Sequence, residues 1–300
     1  MHYMPSQARK QQFVAEFRRR LENINELPAM PEVATELLAL RNDPVADIAK
    51  LVKVISKDPG ISTQIMRYSR LSLFGYGERI QTLNEAITLV LGFEKALHLA
   101  IGLAAGSCMM MQADGPLGRH NYWRHSFTTA ILCQTLAQAL PEEHRASPGV
   151  AYLAGLLHDI GFLLIGHLYP EEFAMLNDLV KRYFDKETRE LELLSLGISH
   201  DMVGLYLMRA WNMPEEVHVA VSEHHFPEYG GKHSIYSKLV YLSNSFQHRQ
   251  ADHQGVAIDD RHALLIMQEL GLDENIMQET LRELDEVTAE INALVDQMAA

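Results

Sequence analysis

The chain has 300 residues, 26 basic and 39 acidic side chains, a net charge of −13, 47% hydrophobic residues and two cysteines. That is enough chain for one large domain or two smaller ones with a full core, and the acidic balance disfavours broad binding to nucleic acid or anionic membranes. Cys108 and Cys133 lie in apolar surroundings with neither a disulfide framework nor zinc-knuckle spacing, as expected of small core residues in a reducing compartment.

Helical period governs almost every segment. Phe13, Phe17 and Leu21 mark a charged first helix that ends before Leu27-Pro28, with Arg18-Arg19-Arg20 as a solvated face. Val33, Leu37, Leu38 and Leu40 form the next stripe, entered at Pro31 and broken at Asn42-Asp43-Pro44. Ile48 to Ile55 and Ile61 to Met66 follow around Asp58-Pro59-Gly60, then Leu83 to Leu91 and Ala96 to Met111 on either side of Gly92. Asp114-Gly115-Pro116-Leu117-Gly118 is the most turn-prone central stretch and predicts a subdomain boundary.

Beyond it, helices are predicted over about 121–139, 148–165, 170–183, 187–196, 199–211, 214–223, 234–248 and from 259 onward. The acidic tail repeats Ile276, Leu281, Leu284, Val287, Ile291 and Leu294 at roughly helical spacing, the pattern of a packing helix or of a partner-binding coiled coil. Strand-like alternation never persists, so the predicted fold class is all-α. The two most apolar stretches, 96–113 and 151–169, contain His98 and His158-Asp159-His167 respectively. A charged Asp at a bilayer centre costs on the order of 3 kcal/mol, so buried helices are expected and no membrane partner. The N-terminus shows no apolar signal region, and the cytoplasm is the expected location.

Ten of the 15 histidines fall between His120 and His233. His158-Asp159 ends an apolar helix, where an ionised carboxylate needs a partner or a metal. A capping Asp beside a core His would give the same dipeptide. His125 lies near a helix start, His200 at the mouth of another helix, and His224-His225 just beyond a third. Imidazole and carboxylate are the usual ligands of Zn, Fe, Ni or Mn, and bundles collect such ligands from facing helices. His125, His158, Asp159, His200, His224 and His225 are therefore the candidate ligands for one or two divalent transition-metal ions.

The order His125 … His158-Asp159 resembles the HD superfamily of metal-dependent phosphohydrolases. From Leu27 to Gln247 the chain is similar to the HDOD branch, the bacterial HD-related output domain. Leu27-Pro28-Ala29-Met30-Pro31 resembles that family's opening Leu-Pro-x-Leu-Pro, and Lys57-Asp58-Pro59-Gly60 its Asp-Pro turn. Glu85-Ala86-Ile87 with Leu91-Gly92 matches its Ala-Ile-x-x-Leu-Gly helix, and Trp211-x-x-Pro214 before His224-His225 its closing segment. The resemblance implies an N-terminal helix (1–26), an HDOD domain (27–250) and a C-terminal helical extension (251–300). The domain would divide into an N-terminal helical lobe (27–115) and an HD-like lobe (116–250).

Differences from the enzymes of the superfamily lie at informative positions. Asn244 stands where they carry a late Asp, and Phe162 where they often carry Lys. Asn121, four residues before His125, replaces the Glu of the HD-GYP phosphodiesterases that cleave cyclic di-GMP, and no Gly-Tyr-Pro follows His225. The expected function is thus a signal-transduction protein with a His/Asp metal site and degenerate or absent hydrolysis, acting on a signalling protein or a small phosphorylated ligand. The alternative is an active phosphomonoesterase or phosphodiesterase with Asp159 and His158 at its catalytic centre and Arg124, Lys232 or His233 neutralising phosphate.

Overall fold

A computed structural model describes residues 7–22, 26–111, 115–251 and 260–299. Asp114 of the predicted boundary lies outside the described residues, as do the side chain of Arg18 and the link 252–259. The first half contains α1 (Gln7–Glu22), α2 (Glu32–Arg41), α3 (Ile48–Ile55), α4 (Pro59–Ser69), α5 (Leu83–Glu85) and α6 (Gly92–Ser107). The second contains α7 (Arg119–Ala139), α8 (Pro148–Leu157), α9 (Ile160–Leu168), α10 (Pro170–Arg182), α11 (Thr188–Ser195), α12 (His200–Ala210), α13 (Glu215–Glu223) and α14 (Ser234–Ala251). The extension supplies α15 (Arg261–Leu270) and α16 (Glu274–Ala299). No strand occurs among the described residues, so the fold is all-α.

Local chemistry accounts for many of the boundaries. Asp47 and Asp58 accept hydrogen bonds from the backbone N–H groups of Lys50 and Ile61, capping α3 and α4, and Pro59 occupies a first-turn position where its missing N–H costs nothing. Thr82 and Glu85 form a reciprocal capping box. From Ala86 to Leu91 the backbone widens into a π-helical turn, a feature hydrophobic period does not reveal. Gly92 then takes φ 73° and ψ 172°, a conformation open essentially to glycine alone.

Small residues set how closely the helices approach. A Cβ on Gly155 of α8 would lie 2.8 Å from Ala130 Cα and from the Thr129 carbonyl oxygen of α7. Gly102 and Gly106 of α6 likewise leave room for Leu156 and Trp123. The principal core runs from Phe17 of α1 through Leu37, Leu99, Phe127, Leu156 and Leu207 to Ile291 of α16. A second cluster joins Cys133 of α7 and Ala154 of α8 to Leu239, Phe246 and Ile266 of α14 and α15. The two segments apolar enough to cross a membrane, Leu83–Ser107 and Pro148–Leu168, have 61% and 94% of their apolar windows buried inside this fold. They serve as core helices.

The tail takes the packing role. Leu284, Val287, Ile291 and Leu294 of α16 are buried against α7 and α4. Glu290 accepts a 2.6 Å hydrogen bond from the Ser72 backbone N–H, and Asp296 pairs with His120 of α7 at 2.8 Å.

Candidate metal centre

The continuous helix expected over 148–165 is interrupted at the dipeptide of interest. His158 closes α8, and Asp159 occupies the N-cap position of α9 with φ −99° and ψ 12°. Its carboxylate makes no capping hydrogen bond. It turns instead toward the imidazoles of His158 and His200, so a capping role does not account for it. Gly161 lies within α9, and the absence of a Cβ lets α9 lie directly against the His200 carbonyl of α12.

All six candidate ligands converge. Asp159 Oδ2 lies 3.2 Å from His158 Nε2 and 3.6 Å from His125 Nε2. The other oxygen, Oδ1, lies 3.1 Å from His200 Nε2 and 3.6 Å from His224 Nε2. His225 Nε2 approaches His200 Nε2 at 3.0 Å. The six form two donor groups, His125 with His158 and Asp159, and His200 with His224 and His225, and His200 also belongs to a third with Glu192 and Asp201. The Asp159 carboxylate lies between the first two.

The opposite edges of four of the five rings are anchored. His158 Nδ1 faces the Gly155 carbonyl at 2.8 Å and His224 Nδ1 the Val221 carbonyl at 2.9 Å. A carbonyl only accepts, so both rings carry their proton on Nδ1 and turn an Nε2 lone pair inward. His125 Nδ1 donates to Gln247 Oε1 at 3.0 Å, the orientation fixed because Gln247 Nε2 donates to Thr129 at 2.8 Å. His200 Nδ1 meets the Glu192 carboxylate at 2.7 Å, and that carboxylate also accepts the His200 backbone N–H at 2.8 Å, capping α12. Glu192 is fully buried and was not among the residues the sequence singled out. Three residues from Arg189, itself paired with buried Asp201 at 3.1 Å, it sits in a carboxylate–imidazole arrangement of the kind that orients metal ligands.

Burial raises the cost of ionising Asp159, yet the His158 and His200 rings outweigh it and hold the carboxyl well below its usual range. Burial likewise opposes protonation of His200, but Glu192 and Asp159 on its two sides raise it well above the usual imidazole value. Burial and neighbouring imidazoles push His224 well down and His225 down to about 3. Burial raises Glu192.

The donor set fits a divalent ion. Inward Nε2 atoms stand 3.1 Å apart in His125–His158 and 3.3 Å apart in His200–His224, a spacing that either a proton or a shared cation between the two nitrogens accommodates. Two ligands about 2.1 Å from one ion and about 90–110° apart are themselves roughly 3.0–3.4 Å apart.

A cavity of about 560 Å³ opens onto this centre and is lined by Asp159, His125, His200 and His225 together with Arg124, Lys181, Lys186, Phe184 and Asn244. Phe162 is stacked on the His200 ring at 4.2 Å and 19°. Asn244 Oδ1 accepts from Thr129 Oγ1 at 3.4 Å. Lys232 and His233, candidates for phosphate contact, do not line this cavity and pair instead with Glu215 at 2.5 and 3.4 Å. Lys181 and Lys186 hold the place expected for them, beside Arg124.

Comparison with known proteins agrees with this architecture. The HDOD domain family model matches residues 27–227. A candidate signal transduction protein of known structure from Marinobacter aquaeolei VT8 is 29% identical, with a TM-score of 0.82, over 99% of this chain and 67% of its own. A candidate phosphohydrolase from Shewanella amazonensis SB2B shares the fold at 21% identity and a TM-score of 0.72, over 92% of this chain and 97% of its own. An uncharacterized protein of Treponema pallidum (strain Nichols) is 24% identical over 204 residues, 68% of this chain, and the chain spans 38% of that relative's length.

Proposed function

The chain belongs to the HDOD domain family, and from that premise we propose that it is a signal-transduction protein built on a His/Asp metal site whose hydrolytic chemistry is degenerate or absent. His125, His158, Asp159, His200, His224 and His225 would hold one or two Fe, Zn, Ni or Mn ions, with Asp159 bridging and Glu192 orienting His200. The observation that carries the reading is the pair of substitutions beside a full imidazole set. Phe162 covers His200 with an apolar ring where the enzymes of the superfamily often place a cation, and neutral Asn244 lines the cavity where they place a carboxylate. The 29% identical relative from Marinobacter, a candidate signal transduction protein, points the same way.

A second reading, a metal-dependent phosphohydrolase, is favoured by one feature. Arg124, Lys181 and Lys186 line the same cavity as the ligands, alongside Asp185 and Glu187, and none of the three cations is paired with a carboxylate among the described residues, which leaves them available to a phosphorylated ligand. A bound divalent ion would supply an activated water and polarise a phosphoryl oxygen. The chain's own residues would bind and orient the anion and keep the imidazoles deprotonated on Nε2. A screen of phosphomonoesters and phosphodiesters with added Mn or Ni separates the two. The proposal expects no turnover by the native chain. Turnover that disappears in Asp159→Ala would establish the hydrolase instead.

A further inference from the structure

A second cavity, of about 790 Å³, lies away from the metal centre where the loop before α2, the end of α2 and the end of α12 meet. Its apolar wall includes Met30, Leu38 and Trp211, and Arg41 is the charged side chain among its lining residues. The Trp211 indole N–H donates to the Pro28 carbonyl at 3.0 Å, so the ring is fixed and presents no free polar edge. Arg41 is half-buried in the last turn of α2, and no carboxylate pairs with it among the described residues. His98 of α6, within reach of the Arg41 field, is buried and held uncharged, down to about 4, by burial and by that guanidinium.

In a chain whose net charge is −13, several cations find acidic partners, as Lys50, Lys57 and Lys238 do, while Arg41 pairs with none among the described residues. A half-buried guanidinium without one, at the rim of a cavity with an indole wall, is the complement of a small amphipathic anion. From this juxtaposition we infer that the cavity is a ligand site for a small molecule with an aromatic body and one carboxylate or sulfonate group, the acid on Arg41 and the ring against Trp211. The site is independent of any metal. It lies at the far end of the helix that begins with His200, about 15 Å along α12 at 1.5 Å per residue.

The full chain contains two tryptophans, Trp123 and Trp211, so a nitrogen-15 spectrum carries two indole signals, assigned with the Trp123→Phe variant. The probes are 1-naphthoate, 1-naphthalenesulfonate and the neutral 1-naphthalenemethanol. Saturable movement of the Trp211 signal is expected with both anions, at least tenfold tighter than with the alcohol. Arg41→Gln is expected to bring the anions down to the affinity of the alcohol while leaving the spectrum dispersed. Three results would overturn the inference: no saturable movement at Trp211, movement confined to Trp123, or unchanged anion affinity in Arg41→Gln.

Discussion

At the scale of single residues, the candidate metal site depends on how each ring is turned. Glu192 is the strongest of the anchors because it holds both Nδ1 and the backbone N–H of His200. Glu192→Gln retains the shape but removes the charge, and second-sphere losses of this kind typically lower metal affinity by about 10–100-fold. Competition with a chelator reads that change, and an unaltered affinity would remove Glu192 from the account. A residue outside the site contributes to the acid limit of stability. His98 is held down to about 4 by burial and by Arg41, against 6.5 in the unfolded chain. Below pH 6.5 the unfolded chain takes up a proton the folded chain refuses, so stability is complete above that value and falls as the pH drops toward 4. The loss approaches about 3 kcal/mol, and urea unfolding should show this acid limb flattened in His98→Leu. The sequence made the six candidate ligands legible because His and Asp are rare at the ends of apolar helices. Glu192 was not legible: in Arg189-Glu190-Leu191-Glu192-Leu193-Leu194 the buried position is acidic while Leu193 and Leu194 are 40% and 43% exposed, the reverse of what hydrophobic period expects.

At the scale of elements, the centre is assembled by close helix contacts. Gly161 of α9 lies so near the His200 carbonyl that any side chain would force α9 and α12 apart. Gly161→Ala is therefore expected to weaken metal retention by at least tenfold without touching a ligand, and metal content equal to that of the native chain would contradict it. Helix α16 makes a separate test of packing. Ile291 is 1% exposed in the principal core, and truncating such a residue to Ala typically costs about 2–5 kcal/mol. Urea unfolding of Ile291→Ala measures this, and a change below about 1 kcal/mol would mean that α16 is only loosely held. Periodicity locates most helices because buried faces repeat every three to four residues. It misses the break at His158-Asp159, since the surrounding residues from Ala151 to Ile165 are apolar throughout and mark no end. It misses the π turn at Ala86–Leu91 for a similar reason, as the buried residues Ala86, Ile87 and Leu91 suit either winding.

At the scale of the molecule, helices far apart in sequence deliver side chains to one point. Helix α7 brings His125, the α8–α9 junction His158 and Asp159, α12 His200, and the end of α13 His224 and His225. Their places at the ends of helices made this candidate set readable before any coordinates, and the family resemblance supported it. Arg124 was expected at the cavity and lines it, but Lys181 and Lys186 were not, because they lie in an ordinary charged stretch at the end of α10 and in the turn after it. The same architecture leaves Phe162 and Asn244 beside the ligands, and on these the regulatory reading rests. The account as a whole stands on the imidazoles sharing a cation. Elemental analysis of the full chain, purified without an affinity tag and compared with His158→Ala, tests this directly. One or two equivalents of Fe, Zn, Ni or Mn in the native chain, lost in the variant, is the predicted result. A native chain that holds no transition metal even after incubation with these ions, or a variant that keeps the full content, would contradict it.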